Sequence, residues 1–313
     1  MGKLILLLLE RCPWLEVAVR RFLWRFPAIK QFIANAHSEK RQVKTIKTDP
    51  AIWERVKEKI KGYPIEKGDI LLVHSSMDGL AKTGVSAKVV IDFLLELLGE
   101  EGTLVFAAYP KCKPYREEKE VLYYDPKRTL SWTGMLPNVF CKYDGVVRSE
   151  FPYNTLAAKG KYASEMMKDN LLDDTSQAEH SSWQFCVEHH AKILYLGVSA
   201  ALSCTMMNYP EDALGEAWYV KDWYGTQRYA IESGDGIVYK TIKERHPDWY
   251  RFYAMFHSER WMIQNDFLTR DEIEGVYVGF TENMHGLAQE LLRLGRQGRS
   301  VYRIPKKYRK RMG

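Results

Sequence analysis

The sequence predicts an α/β protein with a mixed central sheet, helices on both faces, an antiparallel strand addition in the C-terminal half and an N-terminal amphipathic helical extension. Short apolar runs typical of buried parallel strands alternate with segments of helical apolar spacing. Residues 217–242 alternate aromatic, β-branched and polar side chains around glycine turns. The 313 residues, 46% hydrophobic and 27% charged, suit one large domain with appendages rather than a disordered chain.

Charge divides the chain into three regions. The 46 Lys and Arg against 40 Asp and Glu residues give a net charge of +6. Residues 1–47 hold ten basic and three acidic side chains, and residues 293–313 hold nine basic and no acidic ones, which leaves residues 48–292 with a net charge of −10. We therefore predict a basic amphipathic helical extension over 1–47, an acidic folded domain over 48–294 and a basic tail over 295–313.

The extension has two interpretations. Residues 4–33 mix aromatic and aliphatic side chains with Arg and Lys, which is typical of short amphipathic helices. As an interfacial anchor, they would put apolar groups into a lipid headgroup region while the cations meet anionic lipid. As a docking helix, they would cover an apolar groove either of the domain or of a second subunit, and the second alternative implies a homodimer. The tail lacks a recognition motif, so we expect no nucleic-acid partner and interpret it as solvated or membrane-facing.

The cysteines and the absence of a long apolar run bear on the compartment. Five cysteines without a C-x-x-C pair predict neither a disulfide framework nor a metal site. The apolar run at residues 4–9 is shorter than a bilayer span, and no signal cleavage site follows it. We expect a cytoplasmic protein, with peripheral contact at the inner membrane face if the anchor interpretation holds.

The first half of the domain begins with a helix over residues 48–61, which starts at Thr-Asp-Pro. The apolar run 70–73 predicts a buried parallel strand that ends in polar residues 74–76. Residues 87–98 have helical apolar spacing, and 103–107 form the next strand. Because open α/β sheets place ligands at the carboxyl ends of their strands, residues 74–76 are candidate site residues.

The later elements follow the same logic. We predict a helix starting in 132–137, a strand within 148–158, a helix over 161–168, a buried strand over 193–198, antiparallel strands within 217–242 and a helix over 284–294.

The loop Thr83-Gly84-Val85-Ser86 precedes the helix at 87–98. It brings free backbone N–H groups to a helix N-terminus, with Gly84 allowing close approach and Ser86 as the cap. This arrangement favours an anionic ligand such as a pyrophosphate, although the loop is neither a dinucleotide fingerprint nor a P-loop and could be a simple connection.

In their order and spacing, several motifs together resemble the aminoglycoside 3-N-acetyltransferase family over roughly residues 50–294. They are Val73-His74-Ser75-Ser76-Met77, Thr83-Gly84, Glu101-Gly102-Thr103, Thr133-Gly134-Met135-Leu136-Pro137, Ser181-Ser182-Trp183 and Leu196-Gly197-Val198 followed by Thr205 and Glu211. The resemblance implies acetyl-CoA as co-substrate, no metal, a primary amine on a sugar ring as acceptor, and direct transfer in a ternary complex.

The resemblance also assigns roles to individual residues. The loop Thr83-Gly84-Val85-Ser86 would bind the CoA phosphates. Ser75 and Ser76, with His74 beside them, and the Thr133-Gly134 turn would line the pantetheine channel. His74 itself is either a hydrogen-bonded structural residue or the general base.

One departure from the family pattern affects the predicted base. The family has T-x-x-H-x-x-E, and here Thr205 and Glu211 match while Asn208 stands at the histidine position, where an amide cannot accept the proton. Three explanations stay open. Glu211 or Asp212 acts as base, alone or through a water held by Asn208; His180 reaches the site from another loop; or the acceptor amine is already partly neutral at pH 7 and needs little help.

Three functions follow from these observations. The leading hypothesis is an acetyl-CoA-dependent N-acetyltransferase of an amino sugar, free or nucleotide-linked, in surface polysaccharide biosynthesis, because the basic aromatic extension suggests work at a membrane face. An aminoglycoside resistance acetyltransferase is the first alternative, since a polycationic acceptor suits the acidic domain. The second is a family member that has lost its base and only binds CoA.

Overall fold

The computed structural model describes residues 8–29, 47–234 and 236–310. In chain order the strands are β1 (Ile70–Ser75), β2 (Thr103–Ala107), β3 (Lys113–Tyr115), β4 (Glu118–Tyr124), β5 (Val147–Arg148), β6 (Leu156–Gly160), β7 (Lys192–Leu196), β8 (Tyr224–Ser233), β9 (Gly236–Arg245), β10 (Thr269–Ile273) and β11 (Val276–Thr281). The α-helices are α1 (Pro13–Arg25), α2 (Pro50–Lys61), α3 (Met77–Leu80), α4 (Ala87–Leu98), α5 (Met135–Phe140), α6 (Ala163–Met167), α7 (Ser182–Glu188), α8 (Ala200–Ser203), α9 (Tyr209–Leu214), α10 (Met255–Gln264) and α11 (Met284–Arg296).

A seven-stranded mixed sheet with the order β10-β11-β7-β1-β2-β6-β5 forms the centre of the molecule. Its middle strand β1 pairs in parallel with both neighbours, so that Leu72 lies opposite Val105 of β2 and Ile193 of β7. The outer strands pair antiparallel. The carboxyl ends of β1, β2 and β7 therefore lie at one edge of the sheet, which is where open α/β sheets hold ligands.

Helices cover both faces of this sheet. Along β1, Ile70 and Leu72 belong to one core together with α7 and α11, while Leu71 and Val73 belong to a second core together with α2 and α4. Successive side chains of a strand point to opposite faces, and a continuous apolar run is buried on both. The predicted fold class, a mixed α/β sheet with helices on both faces, is confirmed.

A second, four-stranded sheet has the order β3-β4-β8-β9. The β8–β9 hairpin is the antiparallel addition that the alternating pattern predicts. The β3–β4 hairpin was not predicted, because its residues are largely exposed and charged, and β4 is held by parallel pairing with β8, which comes much later in the chain.

The α1 helix docks on the domain. The Glu16 carboxylate accepts hydrogen bonds from the backbone N–H groups of Met255 (3.1 Å) and Phe256 (3.2 Å) at the start of α10, and Val17 is buried in the core that also holds α11. This contact is the one that the docking interpretation predicts. The rest of the predicted extension, residues 1–7 and 30–46, lies outside the described residues.

The C-terminal tail also packs against the domain, which differs from the interpretation of a solvated or membrane-facing segment. Val301, Tyr302 and Ile304 are buried, and Tyr302 forms a β-bridge with Tyr253. Around the bridge, the Ala254 N–H donates to the Val301 carbonyl and the Arg303 N–H to the Phe252 carbonyl. The apolar side chains of the segment join the core, and polar residues such as Lys306 and Lys307 are exposed. Among the helices within the described ranges, none combines the length and apolar composition that a bilayer crossing needs.

Candidate functional site

A cavity of about 350 Å³ opens at the carboxyl ends of β1, β2 and β7. Its walls come from the strand ends, from the turn before α5, from residues 198–208 and from the segment between β9 and α10. The residues that line it are Arg20, Val73, His74, Ser75, Ala107, Tyr109, Trp132, Thr133, Pro137, Tyr153, Asn154, Val198, Ala201, Leu202, Ser203, Cys204, Thr205, Asn208, Arg245, Tyr250, Tyr253 and Met255. Five of the predicted site residues meet here: His74, Ser75, Thr133, Thr205 and Asn208.

His74 and Ser75 reach the cavity because the buried strand β1 ends there. The His74 ring stacks on Tyr195, with centroids 5.5 Å apart and planes 11° apart. Among the described residues, neither His74 Nε2 nor Ser75 Oγ has a hydrogen-bond partner. Burial lowers the pKa of His74 to about 3, so the imidazole is neutral near pH 7. The site thus presents two unpaired neutral polar groups rather than a strong base.

Thr133 and Thr205 are both held by short polar contacts. Thr133 Oγ1 donates to the Ala107 carbonyl at the end of β2 (2.7 Å), which fixes the turn that leads through Gly134 into α5. Gly134 has a φ of 124°, a conformation that favours glycine. Thr205 Oγ1 is hydrogen-bonded to the Tyr109 hydroxyl across the cavity.

Asn208 is oriented by the C-terminal tail. The Tyr302 hydroxyl donates to Asn208 Oδ1 at 3.1 Å, and Tyr302 is buried. Because the carbonyl oxygen of the amide is already bonded, the two N–H donors of Asn208 Nδ2 are left for another partner.

Glu211 is buried behind the cavity rather than lining it. Both of its carboxylate oxygens contact Arg245 Nη1, at 3.3 and 3.4 Å, and Trp223 Nε1 donates to it at 3.0 Å. Burial raises the pKa of Glu211 to about 8, although the Arg245 guanidinium opposes the rise. Arg245 lines the cavity and packs over Tyr250, 4.4 Å from its ring centroid. Arg245 therefore stands on the cavity side of the carboxylate that was a candidate base.

The carboxylate of Asp212, the neighbouring candidate base, is hydrogen-bonded to groups outside the cavity lining. Its carboxylate accepts hydrogen bonds from the Tyr224 hydroxyl (2.9 Å), the Gln177 backbone N–H (2.9 Å) and Ser176 Oγ (3.1 Å). It does not line the cavity. These three bonds let Asp212 tie α9 to the loop before α7 and to β8.

The structure does not bring His180 to the cavity. Its side chain is 44% exposed and bonds to the Asp173 carboxylate, which raises the pKa of the imidazole. His180 begins the segment before α7, and the Ser181 that follows it is the residue that caps this helix. Although His180 is adjacent in sequence to the Ser181-Ser182-Trp183 motif, its imidazole therefore lies next to the cap of α7 and not in the cavity.

The predicted phosphate loop also lies outside the lining of the cavity. Thr83 Oγ1 donates to the Leu80 carbonyl and accepts from the Val85 N–H, and Ser86 Oγ accepts from the Val89 N–H as the cap of α4. Gly84 adopts a φ of 65° against Thr48. Ser76 caps α3 through the Gly79 N–H.

Several aromatic and cationic walls of the cavity were not predicted from the sequence. Tyr109 follows β2, Arg245 ends β9, and Tyr250 and Tyr253 lie in the segment between β9 and α10, with no motif shared among the three regions. Cys204 lines the cavity, and burial raises the pKa of its thiol to about 11, so it stays protonated near pH 7 and cannot act as a thiolate. Within the described ranges, no three His, Cys, Asp or Glu side chains are grouped as a metal site would need.

Comparison with known proteins gives a consistent result. A sequence model of the family described as aminoglycoside 3-N-acetyltransferase matches residues 72–274. Aminoglycoside N(3)-acetyltransferase IX of Micromonospora chalcea is 25% identical over 167 residues, which are 47% of this chain and 57% of that protein. The SPbeta prophage-derived aminoglycoside N(3')-acetyltransferase-like protein YokD of Bacillus subtilis is 27% identical over 143 residues, 40% of this chain and 53% of that protein. The chain thus spans little more than half the length of these relatives.

Solved structures share the fold. The apoenzyme of aminoglycoside acetyltransferase AAC(3)-IVa superposes with a TM-score of 0.63 at 18% identity, covering 85% of this chain and 95% of that one. The binary complex of AAC-IIIb with CoASH superposes with a TM-score of 0.64 at 17% identity, covering 78% and 96%.

Proposed function

Because this chain belongs to the aminoglycoside 3-N-acetyltransferase family, we propose that it transfers an acetyl group from acetyl-CoA to a primary amine of an aminoglycoside-type amino sugar. The observation that carries the proposal is the cavity at the strand ends, which gathers His74, Ser75, Thr133, Thr205 and Asn208 in one place. The names of the relatives support an aminoglycoside acceptor and give no support to the polysaccharide-biosynthesis hypothesis.

The reaction needs little covalent chemistry from the protein. The amine nitrogen attacks the thioester carbonyl, the new C–N bond forms, the C–S bond breaks, and the proton lost by the nitrogen ends on the CoA sulfur. Positioning of the two substrates and stabilisation of the oxyanion then account for the rate enhancement. The polar groups at the ends of β1 and β2, together with Thr205, would hold the thioester and the acceptor.

Within this mechanism, Asn208 acts as a hydrogen-bond donor. Tyr302 occupies its Oδ1, and the Nδ2 donors are left for the developing oxyanion. Glu211 acts as a positioning residue that holds Arg245 at the cavity wall. The acceptor enters as a neutral amine, because the described residues of the cavity lining include no carboxylate and one imidazole, that of His74, whose pKa is lowered to about 3.

The CoA phosphates would bind near the loop Thr83-Gly84-Val85-Ser86. The Ser86 side chain caps α4 at the Val89 N–H, which leaves other backbone N–H groups in the first turn of that helix for an anion. Ser76 and Gly134, at the two helix starts beside the strand ends, would border the pantetheine.

A second acceptor class is favoured by the charge of the cavity. Arg20 and Arg245 line it, while their carboxylate partners, Glu16 and Glu211, are absent from the lining. A polycationic acceptor would meet two guanidinium groups there. An amino sugar that carries a phosphate, including a nucleotide-linked one, would meet the opposite charge that it needs.

Thiol release from acetyl-CoA tests the proposal and separates the acceptors. Gentamicin, glucosamine and glucosamine 6-phosphate are compared at equal concentration, the last two differing only in the phosphate. Turnover of gentamicin alone supports the aminoglycoside acceptor, and a preference for glucosamine 6-phosphate over glucosamine supports the phosphate-bearing class. If CoA raises the melting temperature while none of the three amines releases thiol, the proposed acetyl transfer is contradicted and the CoA-binding alternative is supported.

A further inference from the structure

A second cavity of about 320 Å³ is lined in part by Tyr302, whose hydroxyl bonds to Asn208 of the candidate active site. It is bounded by α1, α10, the end of α11 and residues 298–309. Apolar walls come from Trp14, Trp261, Leu291 and Leu294. Neither the proposed reaction nor any predicted site residue uses this cavity.

Three arginines give this cavity a positive charge. Arg299, Arg303 and Arg309 line it, and its described lining contains no carboxylate. Arg303 donates to the Ser300 carbonyl (2.8 Å) and Arg309 to the Ile304 carbonyl (2.8 Å), so their described bonds go to neutral backbone groups. Burial, together with the charge of Arg299, lowers the pKa of Arg303. Within the described ranges, none of these three guanidinium groups forms a close ion pair with a carboxylate, which favours an anionic ligand.

An exposed apolar stripe runs along α1 beside this cavity. Leu15, Val19, Phe22 and Phe26 follow helical spacing and are 42%, 46%, 52% and 42% exposed. Trp14, which is 62% exposed, lies at the edge of the stripe and also lines the cavity. The α1 helix cannot bury this stripe against the domain, because its opposite face is already docked through Glu16 and Val17.

We propose that the arginine cavity binds the phosphate headgroup of an anionic phospholipid while the stripe of α1 enters the bilayer interface. Aromatic and aliphatic side chains next to a basic site are the features of an interfacial helix. A second copy of this chain fits less well, because self-association through this face would bring exposed arginines against the same charges of its partner. They are Arg21 and Arg25 of α1 and Arg11, which precedes this helix. This inference is independent of the proposed reaction.

Co-sedimentation of the full chain with vesicles tests the proposal. Pure phosphatidylcholine vesicles are compared with vesicles that also contain phosphatidylglycerol, for the unchanged protein and three variants. Arg299→Gln removes a cavity arginine, Phe22→Ser interrupts the stripe, and Arg296→Gln is the matched control, since Arg296 lies in the last turn of α11 outside the cavity lining.

We expect strong binding to the phosphatidylglycerol vesicles only. Arg299→Gln should lower the partition coefficient about fivefold, as one basic residue near an anionic surface does, whereas Arg296→Gln should change it less than twofold. Phe22→Ser should lower it at least as much as Arg299→Gln. Equal losses for both arginine variants would mean a diffuse charge effect and overturn the headgroup site. Equal binding to both vesicle types, no binding, or a dimer in sedimentation that Phe22→Ser abolishes would overturn the proposal as well.

Discussion

Asn208 shows how one residue changes meaning between sequence and structure. Because the family pattern has a histidine at this position, the asparagine by itself suggests that the general base has been lost. In the fold, its oxygen accepts a hydrogen bond from Tyr302, and its nitrogen, which has no hydrogen-bond partner among the described residues, can donate to a substrate atom. The same side chain is therefore a candidate oxyanion donor.

Replacing Asn208 tests this role directly. Asn208→Asp keeps the size and the acceptor oxygen but removes the N–H donors, so we expect kcat to fall about 100-fold with little change in the KM for acetyl-CoA. Steady-state thiol release measures both constants. Asn265→Asp, at an exposed amide after α10, is the matched control and should leave kcat unchanged. A rate that rises for Asn208→Asp would instead support a base at this position.

The buried imidazole of His74 should make the stability of the protein depend on pH. The pKa of its imidazole is about 3 in the folded protein against an ordinary 6.5, so below pH 6.5 the unfolded chain binds a proton that the folded one does not. Its contribution to stability is therefore fully present above pH 6.5 and is lost as the pH falls towards 3. Between pH 6.5 and 5 we expect the free energy of unfolding to fall by about 2 kcal/mol from this group.

Urea unfolding at several pH values measures this effect. His74→Phe keeps a ring against Tyr195 and removes the titrating group. In this variant, the fall in the free energy of unfolding between pH 6.5 and 5 should therefore be smaller by about 2 kcal/mol. If the free energy of unfolding depends on pH equally in the unchanged protein and in the variant, His74 is not the group that titrates.

At the scale of elements, local signals placed some helices and strands well. The bounds of α4 and β2 match the predicted 87–98 and 103–107, because Ser86 caps the helix and Gly99 ends it with a φ of 67°. The β3–β4 hairpin and the packing of the tail were missed. Both depend on partners far along the chain, which no local pattern reports.

The α1 helix depends on one such distant contact. Glu16→Ala removes the cap that the carboxylate gives to α10 and the ion pair with Arg20, so we expect the free energy of unfolding to fall by about 1–2 kcal/mol. Urea unfolding followed by tryptophan fluorescence measures the change. Glu54→Ala, at an exposed position of α2, serves as control and should stay within about 0.5 kcal/mol. Equal effects of the two substitutions would contradict the docking of α1 in solution.

At the scale of the whole molecule, the chain passes repeatedly between the two sheets. It leaves the central sheet after β2 to form β3 and β4, and leaves it again after β7 to form β8 and β9 before returning to β10. Neither sheet is therefore a continuous piece of chain, and we expect them to unfold together.

Ile242→Ala tests this cooperativity. Ile242 is buried in the small core of the second sheet, and its truncation should cost about 3 kcal/mol. The tryptophans Trp183, Trp218 and Trp223 report on the large core of the central sheet. If the two sheets unfold together, Ile242→Ala should shift the unfolding transition seen by tryptophan fluorescence as far as the one seen by circular dichroism. Val238→Ala, on the same strand but exposed, is the control; a fluorescence transition that does not move would show independent units.

The sequence by itself determined the α/β class, the elements with apolar periodicity and caps, and the strand-end residues His74 and Ser75, because these follow from local chemistry and from the geometry of parallel strands. Only the tertiary structure decided that Arg245 shields Glu211, that His180 stays at the surface and that Tyr302 orients Asn208. Each of these depends on which side chain from a distant part of the sequence lies next to it. Tertiary packing and ion pairing determine that neighbour, and both act only when the chain has folded.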